Sequence, residues 1–353
     1  MNSTDPSDRP RLWLLCGRKA GDNGQLEAIA AALARSRRCD VDRIDLDFVG
    51  HELLVTLLLG PSLRGLQPAL RARIAPPWPD LVLSAGRRNE PVARWIGRAS
   101  GGRSRLVHVG RPWADPRHYD LVVTTPQYFL DDARHGNVLT LPLPPVAGPN
   151  ATPGAGPVLL LIGGDSGSKH VDAAFAVDTL ETASALAGRR GTALRVTTSP
   201  RTPQATELAV ATRSAELGLE FHGWHAAGTA PNPYGQWLAE AGGIVVTADS
   251  MSMIAEAAAR AVPLWIARLP APTRPWWLTR RGWRWRAATH ELAQRLAPKR
   301  YRRDTDRLLQ ALVDSGRAAW LDAGEEVAPP TPTAGPTDAE RAAAAVAALL
   351  PGA

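Results

Sequence analysis

The stretch from Gly243 to Ile266 holds the chain's clearest group of residues able to do chemistry. An apolar run, Gly243 to Thr247, leads into Ala248-Asp249-Ser250, then an Ala-rich helical segment and a second apolar run. Asp249 and Ser250 stand where a helix N-cap belongs. A helix that opens directly after a strand presents free N–H groups and partial positive charge, which suits a phosphate. Glu256 lies six residues past Ser250, nearly two turns on, within reach of a second part of the same ligand. An ordinary capped helix between two core strands accounts for the same residues.

Two other strand ends add to this group. Val158 to Ile162 reads as a buried strand that ends in Gly163-Gly164-Asp165-Ser166-Gly167-Ser168-Lys169. The loop is like a phosphate loop but is not a Walker A motif: no Gly precedes Lys169, and His170 stands where a Ser or Thr would hold magnesium. Leu194 to Thr198 reads as a further strand, closing in Ser199-Pro200-Arg201-Thr202-Pro203. Gly163, Gly164, Ser166, Thr198 and Arg201 thus offer backbone amides, small hydroxyls and a guanidinium for a diphosphate.

The elements that position these residues read as parallel α/β. Leu12 to Cys16 is an apolar run, Arg18 to Gln25 a polar loop, and Leu26 to Arg35 has helical spacing. Glycines 17, 21 and 24 do not make the dinucleotide fingerprint. Residues 41–49 alternate as a second strand, where Asp40, Asp42, Asp45 and Asp47 are read as solvated carboxylates and not as a metal-binding pair. Pro79 to Asn89 is a strand with a basic turn, followed by a helix over 90–99 and strands over 106–109 and 121–124. Strands alternating with helices imply a parallel sheet, and ligands of such sheets bind at the carboxyl ends of the strands. Arg87 falls on that rim.

Composition bounds the function. The chain has 353 residues, with 44% hydrophobic and 21% charged, as in a soluble globular protein of two domains. No run approaches the length needed to span a bilayer, and the polar N-terminus is not a secretory signal. Two cysteines, Cys16 and Cys39, lack metal-ligand spacing and are read as free buried thiols in a reducing cytoplasm. The net charge of +7 favours anionic partners, but nucleic acid is not inferred from it. Five of the twelve tryptophans fall between residues 265 and 286. Trp276, Trp277, Trp283 and Trp285, interleaved with Arg280 and Arg281, suit an anionic membrane surface or a lipid-linked acceptor. Packing into the domain interface under arginine stems and stacking on nucleic-acid bases are the other readings of that segment.

The expected domains are residues 1–145 and 158–325, separated by a Pro/Gly-rich linker at 146–157. Residues 326–353 form a second linker and a C-terminal helix that returns to the first domain.

Four segments, in order, carry a family resemblance: Gly21-Asp22-Asn23-Gly24-Gln25, Pro79 to Arg88, Thr197 to Pro203, and Thr247 to Ala257. The last, with its Asp-Ser-x-Ser-Met-x-x-Glu pattern, is the most specific. Together they resemble the mitochondrial fission "elongated mitochondria" family of plants and its bacterial relatives. Those relatives are similar to GT-B glycosyltransferases, such as the N-acetylglucosaminyltransferase of the lipid II pathway. The resemblance implies two Rossmann-like domains facing across a cleft. It places a nucleotide-diphosphate sugar in the second domain, on Asp249, Ser250, Ser252 and Met253, with Glu256 on the ribose. It places the acceptor in the first, on Gly21, Asn23, Gln25 and Arg87, with Asp22 as candidate general base. It implies no metal and no cofactor, and a location in the cytoplasm, peripheral on the inner face of the membrane. The activity expected is metal-independent glycosyl transfer. A catalytically idle scaffold for membrane or partner binding is the alternative, and a nucleotide-sugar epimerase a further one.

Overall fold

The computed structural model describes residues 9–48, 60–130, 135–147, 156–166, 169–226, 228, 231–260, 262–270, 296, 298–321 and 336–350. The chain divides into two compact units. Unit 1 comprises Met1–Ala147, Lys299–Arg303 and Gly335–Ala353; unit 2 comprises Gly148–Pro298 and Asp304–Ala334.

In unit 1 the strands are β1 (Arg11–Cys16), β2 (Asp40–Asp45), β3 (Leu81–Ala85), β4 (Arg105–Val109), β5 (Leu121–Thr124) and β6 (Val138–Thr140). They form one sheet in the order β2-β1-β3-β4-β5-β6, every pair parallel. Burial follows from this order. Central β1 and β3 are covered on both faces and read as continuous apolar runs, whereas edge strand β2 exposes five of its six residues. The β2 carboxylates are indeed surface groups: Asp42 pairs with Arg11 at 3.0 Å and Asp45 with Arg43 at 2.9 Å. Helices α1 (Ala20–Ser36), α2 (Pro68–Arg73) and α3 (Glu90–Ala99) lie between the strands.

Two expectations are corrected here. The polar segment after β1 is not a loop: α1 already runs from Ala20, so Gly21 to Gln25 form its first turns. Its tight start comes from Asn23, which folds back on Gly17, accepting its N–H at 2.9 Å and donating to its carbonyl at 2.8 Å. Cys16 is buried but Cys39 is partly exposed; both are free.

Unit 2 contains β7 (Val158–Ile162), α4 (Ala173–Arg189), β8 (Leu194–Thr198), α5 (Gln204–Glu216), β9 (Glu220–His222), α6 (Tyr234–Glu240), β10 (Gly243–Thr247), α7 (Met251–Ala258), β11 (Leu264–Ala267), α8 (Asp306–Asp314) and β12 (Ala319–Trp320). Its sheet is also parallel throughout, in the order β12-β11-β10-β7-β8-β9. Counted along the unit, that is the 3-2-1-4-5-6 order of dinucleotide-binding domains read from the other edge. All five residues of β7 are fully buried, worth about 2 kcal/mol for each large aliphatic side chain withdrawn from water. Trp265, in β11, is 1% exposed, so this tryptophan of the Trp-rich segment is a core residue.

The last helix, α9 (Asp338–Ala347), opens with a capping box between Thr337 and Glu340. Its Ala339, Ala342, Ala343 and Val346 join the unit 1 core beside Leu26, Ile29 and Leu33 of α1. Alanine on that face lets the two helix backbones approach closely, and Arg35 to Glu340 at 3.3 Å spans the pair. No helix among the described residues is long and apolar enough to cross a membrane.

Candidate functional site

In an open parallel sheet the connections that leave two neighbouring strands run in opposite directions where the strand order reverses, and the strand-end loops part there to form a crevice. In unit 2 that point lies between β7 and β10. The loops after β7, β8 and β10 are bonded to one another.

Asp249 is the hub. Its side chain has no solvent exposure. One carboxylate oxygen accepts the Gly164 N–H at 2.9 Å; the other accepts the Thr247 hydroxyl at 2.6 Å. Thr247 in turn accepts the Gly163 N–H at 2.8 Å. Arg201 approaches the carboxylate at 3.5 Å from the loop after β8. That loop is held by Thr202, whose hydroxyl donates to the Gly163 carbonyl at 2.6 Å and accepts the Ser199 N–H at 2.9 Å. The glycines are required by this closeness: a Cβ on Gly163 would collide with the Asp249 carboxylate, and one on Gly164 with the Arg201 carbonyl. Burial pushes the Asp249 carboxyl above the usual carboxylate range, against the Thr247 hydroxyl, the Gly164 amide and Arg201.

Ser250 is the N-cap of α7, buried, and its side chain makes no capping hydrogen bond. The first-turn amides of a helix have no intrahelical acceptor, so α7 presents uncapped donors beside the Gly163–Gly164 turn. Ser252 and Met253, in that first turn, are half-buried. Glu256, further along α7, accepts a hydrogen bond from the Tyr234 hydroxyl of α6 at 2.5 Å. Burial raises the Glu256 carboxyl, partly offset by Tyr234; burial, then the neighbouring Glu256, raises the Tyr234 hydroxyl.

Ser166 forms an antiparallel bridge with Lys169. Lys169 reaches back to donate to the Ala248 carbonyl at 2.9 Å and pairs with Asp306 at 3.1 Å. Thr198 sits at the strand end as expected, but its hydroxyl is engaged inward. It donates to buried Glu207 at 2.6 Å and accepts the Trp224 N–H at 2.8 Å. Beside Arg201 an open cavity of about 370 Å³ is lined by Asp165, Pro200, Gln204 and His225. A larger cavity, about 530 Å³, is lined by Arg94, Arg98, Arg117 and His118 near the start of β4, at the opposite end of the strands from the switch point.

Unit 1 has its own switch point, between β1 and β3. Gly17, the start of α1 and the Gly86–Asn89 turn meet there. Asn89 is buried and donates to the Leu15 carbonyl at 2.8 Å. Gly86 has φ +76°, and a Cβ on it would lie 2.9 Å from Asp22 Oδ2, so Asp22 of α1 and Arg87 flank one turn. Asp22 also faces Lys19 at 3.9 Å. Gly21 accepts the Gln25 side-chain amide at 3.2 Å, and Asn23 is spent on Gly17. Trp276, Trp277, Arg280, Arg281, Trp283 and Trp285 lie outside the described residues.

Sequence reasoning missed Thr247, Thr202, Glu207 and Tyr234 in unit 2, and Arg111 and Trp113 in unit 1. Thr247 and Thr202 fall inside segments already singled out, and hydroxyls at strand ends were the available signal. Glu207, a helical carboxylate, gave none.

These features define a class: two Rossmann-like parallel-sheet units, each with a polar edge at its switch point. The chain belongs to the mitochondrial fission ELM1 family, whose model matches residues 20–350. No curated protein matches it significantly. Similar solved structures include Medicago truncatula UGT71G1 complexed with UDP-glucose, at 12% identity and TM-score 0.48, covering 98% of this chain and 91% of that one. Another is Methanocaldococcus jannaschii UDP-GlcNAc 2-epimerase in complex with UDP-GlcNAc and UDP, at 12% identity and TM-score 0.45, covering 96% and 99%. A third is spinosyn forosaminyltransferase SpnP, at 11% identity and TM-score 0.47, covering 97% and 91%. At these identities and scores the likenesses fix neither substrate nor reaction; the two sheets stand on their own strand registers.

Proposed function

We propose that the chain is a glycosyltransferase that takes a nucleotide-diphosphate sugar at the unit 2 switch point and transfers the sugar to an acceptor held by unit 1. One observation carries the reading: the Gly163–Gly164 turn, Arg201 and the uncapped start of α7 converge on one point of a Rossmann-ordered sheet. Amides and a guanidinium there would bind a diphosphate and stabilise the negative charge that builds on it as the sugar leaves. In this reading those groups supply the positive charge and the reaction needs no metal. Glu256, further along α7, takes the ribose hydroxyls. Asp22 accepts the proton of the attacking acceptor hydroxyl. The acceptor is lipid-linked or lies at a membrane surface, reached from the cytoplasmic side.

The rival scaffold reading has one observation in its favour. The Asp249 carboxylate already occupies the Gly164 amide and lies against Arg201, two donors that a diphosphate needs. Calorimetric titration with UDP, GDP, ADP and CMP sugars decides between the two. Binding of one of them, weakened about tenfold, or about 1.4 kcal/mol, by Glu256→Ala, supports the enzyme. Absence of binding by all of them removes the enzyme reading and leaves the scaffold, which flotation with anionic vesicles then tests.

A further inference from the structure

At the carboxyl edge of unit 1, guanidinium groups gather on aromatic rings instead of on carboxylates. Arg87 lies 4.6 Å over Trp113. Arg111, just beyond β4, lies 5.5 Å from the Trp113 ring centre and 5.4 Å from that of Tyr128. Arg303 approaches Tyr128 at 5.8 Å and donates to Gln127 at 3.0 Å. Arg111 donates through Nη1 to the Tyr301 and Arg302 carbonyls, while its Nε is buried with no hydrogen-bond partner. Among the described residues, Arg87 makes no hydrogen bond or ion pair through its guanidinium.

The carboxylate beside this cluster is already committed. Glu90 is buried and accepts the Trp113 and Ala114 N–H groups at 2.8 and 2.9 Å and the Tyr119 hydroxyl at 3.1 Å. Burial depresses both Arg87 and Arg111 below the ordinary guanidinium range. Neighbouring arginines depress them further: Arg88 for Arg87, and Arg303 and Arg87 for Arg111. Glu90 pulls both groups back only in part; partly desolvated like charges are costly, and a bound anion relieves that cost. The planar forks match the oxygens of a tetrahedral or carboxylate anion. Several guanidinia exceed what one carboxylate neutralises and suit a phosphoryl group, which carries nearly two charges.

We propose that this edge is a phosphate-binding subsite, in which Arg87 and Arg111, braced on Trp113, take a phosphoryl group of the unit 1 ligand. Resting on the glycosyltransferase reading, that ligand is the acceptor, and its reacting hydroxyl faces Asp22, beside Arg87. The phosphoryl group belongs either to a lipid headgroup or to a soluble sugar phosphate.

The test uses the full chain and Arg87→Gln, a variant that removes no hydrogen bond from the fold. Glucose 1-phosphate is titrated by calorimetry, phosphatidic acid vesicles are compared with phosphatidylcholine vesicles by flotation, and UDP is titrated on the same samples. The expected result is that one phosphate probe binds the wild type, more weakly as NaCl rises, and at least tenfold more weakly in Arg87→Gln. Binding of glucose 1-phosphate assigns a soluble ligand; retention on phosphatidic acid vesicles alone assigns a lipid headgroup. If neither probe binds the wild type, or Arg87→Gln binds both as the wild type does, the subsite is overturned. UDP reports separately: its failure to bind sinks the nucleotide reading, whereas its affinity staying within about twofold in Arg87→Gln, as probe binding is lost, places the phosphate site outside unit 2.

Discussion

The two switch-point edges face one physical problem, holding strand-end loops together without water, and answer it with different chemistry. Unit 1 uses neutral amides: Asn23 clasps Gly17, and Asn89 bonds the Leu15 carbonyl. Unit 2 uses a buried carboxylate, Asp249, with Thr247 and Thr202 as hydroxyl relays. An amide serves as donor and acceptor at once and does not titrate. A carboxylate accepts from several donors at the cost of burying a group that titrates. Of the two braces at the switch points themselves, unit 2's is therefore the one built on a titrating group. It is also the one whose donors are held in place before any ligand arrives. Unit 1 instead leaves guanidinia, Arg87 and Arg111, stacked on aromatic rings beside the amide-bonded turn.

The largest expected effect comes from closing the space that the carboxylate needs. Gly163→Ala drives a methyl group into the Asp249 carboxylate, which is buried and can yield only by giving up its bonds to Gly164 and Thr247. The expected destabilisation is about 3 kcal/mol, the upper part of the range for overpacking, read as a lower urea midpoint with unchanged slope. Gly17, the matching glycine of unit 1, would place its Cβ 3.3 Å from the Asn89 side chain, a contact that a small shift accommodates. Gly17→Ala costing as much as Gly163→Ala would break the contrast between a tightly braced edge and a looser one.

Asp249→Ala comes next. It strands the Gly164 N–H and the Thr247 hydroxyl, for about 2 kcal/mol. The sign of its pH dependence separates the two designs. The native Asp249 carboxyl holds its proton more tightly than the unfolded one, so the native state binds more protons and wild-type stability falls as pH rises from about 4 toward the raised native value. Asp249→Ala lacks that group. The gap between variant and wild type should therefore narrow with rising pH in urea titrations from pH 4 to 7. A gap that widens would mean that the carboxylate is stabilised by Arg201 more than it is penalised by burial.

The contrast also marks where reading the sequence works. The strands β7 and β11 are unbroken apolar runs, and β1, β3 and β10 nearly so, because both faces are covered, and such runs are visible in a sequence. The helix start at Asp249-Ser250 and the Gly163-Gly164 pair were legible because turn chemistry is local, but the expected side-chain cap is absent: Ser250 caps nothing and Asp249 turns to Gly164 and Thr247. The start of α1 was not, since Gly21 and Gly24 argue against a helix and only Asn23 closing on Gly17 overrides them. Nor was the inward turn of Thr198, which depends on Glu207, a residue nine positions away on another element. The Arg87, Arg111 and Trp113 cluster joins segments after β3 and β4, and nothing in their separate stretches announces the meeting.

The smallest effect expected is at the other unit 2 carboxylate. Tyr234→Phe keeps the ring and removes only the hydroxyl that donates to Glu256, a loss of about 1 kcal/mol at neutral pH. Burial already lifts the Glu256 carboxyl, and Tyr234 is what pulls it back. Without the hydroxyl, Glu256 should hold its proton more tightly still, so the variant should lose more stability than wild type as pH rises from about 4 to 7. This is the opposite trend to Asp249→Ala, whose deficit narrows over the same interval. Measured side by side in urea, diverging curves would mark both carboxylates as buried groups held by hydroxyl partners. Parallel curves would mean that Glu256 is hydrated in solution and that Asp249 alone makes the unit 2 edge sensitive to pH.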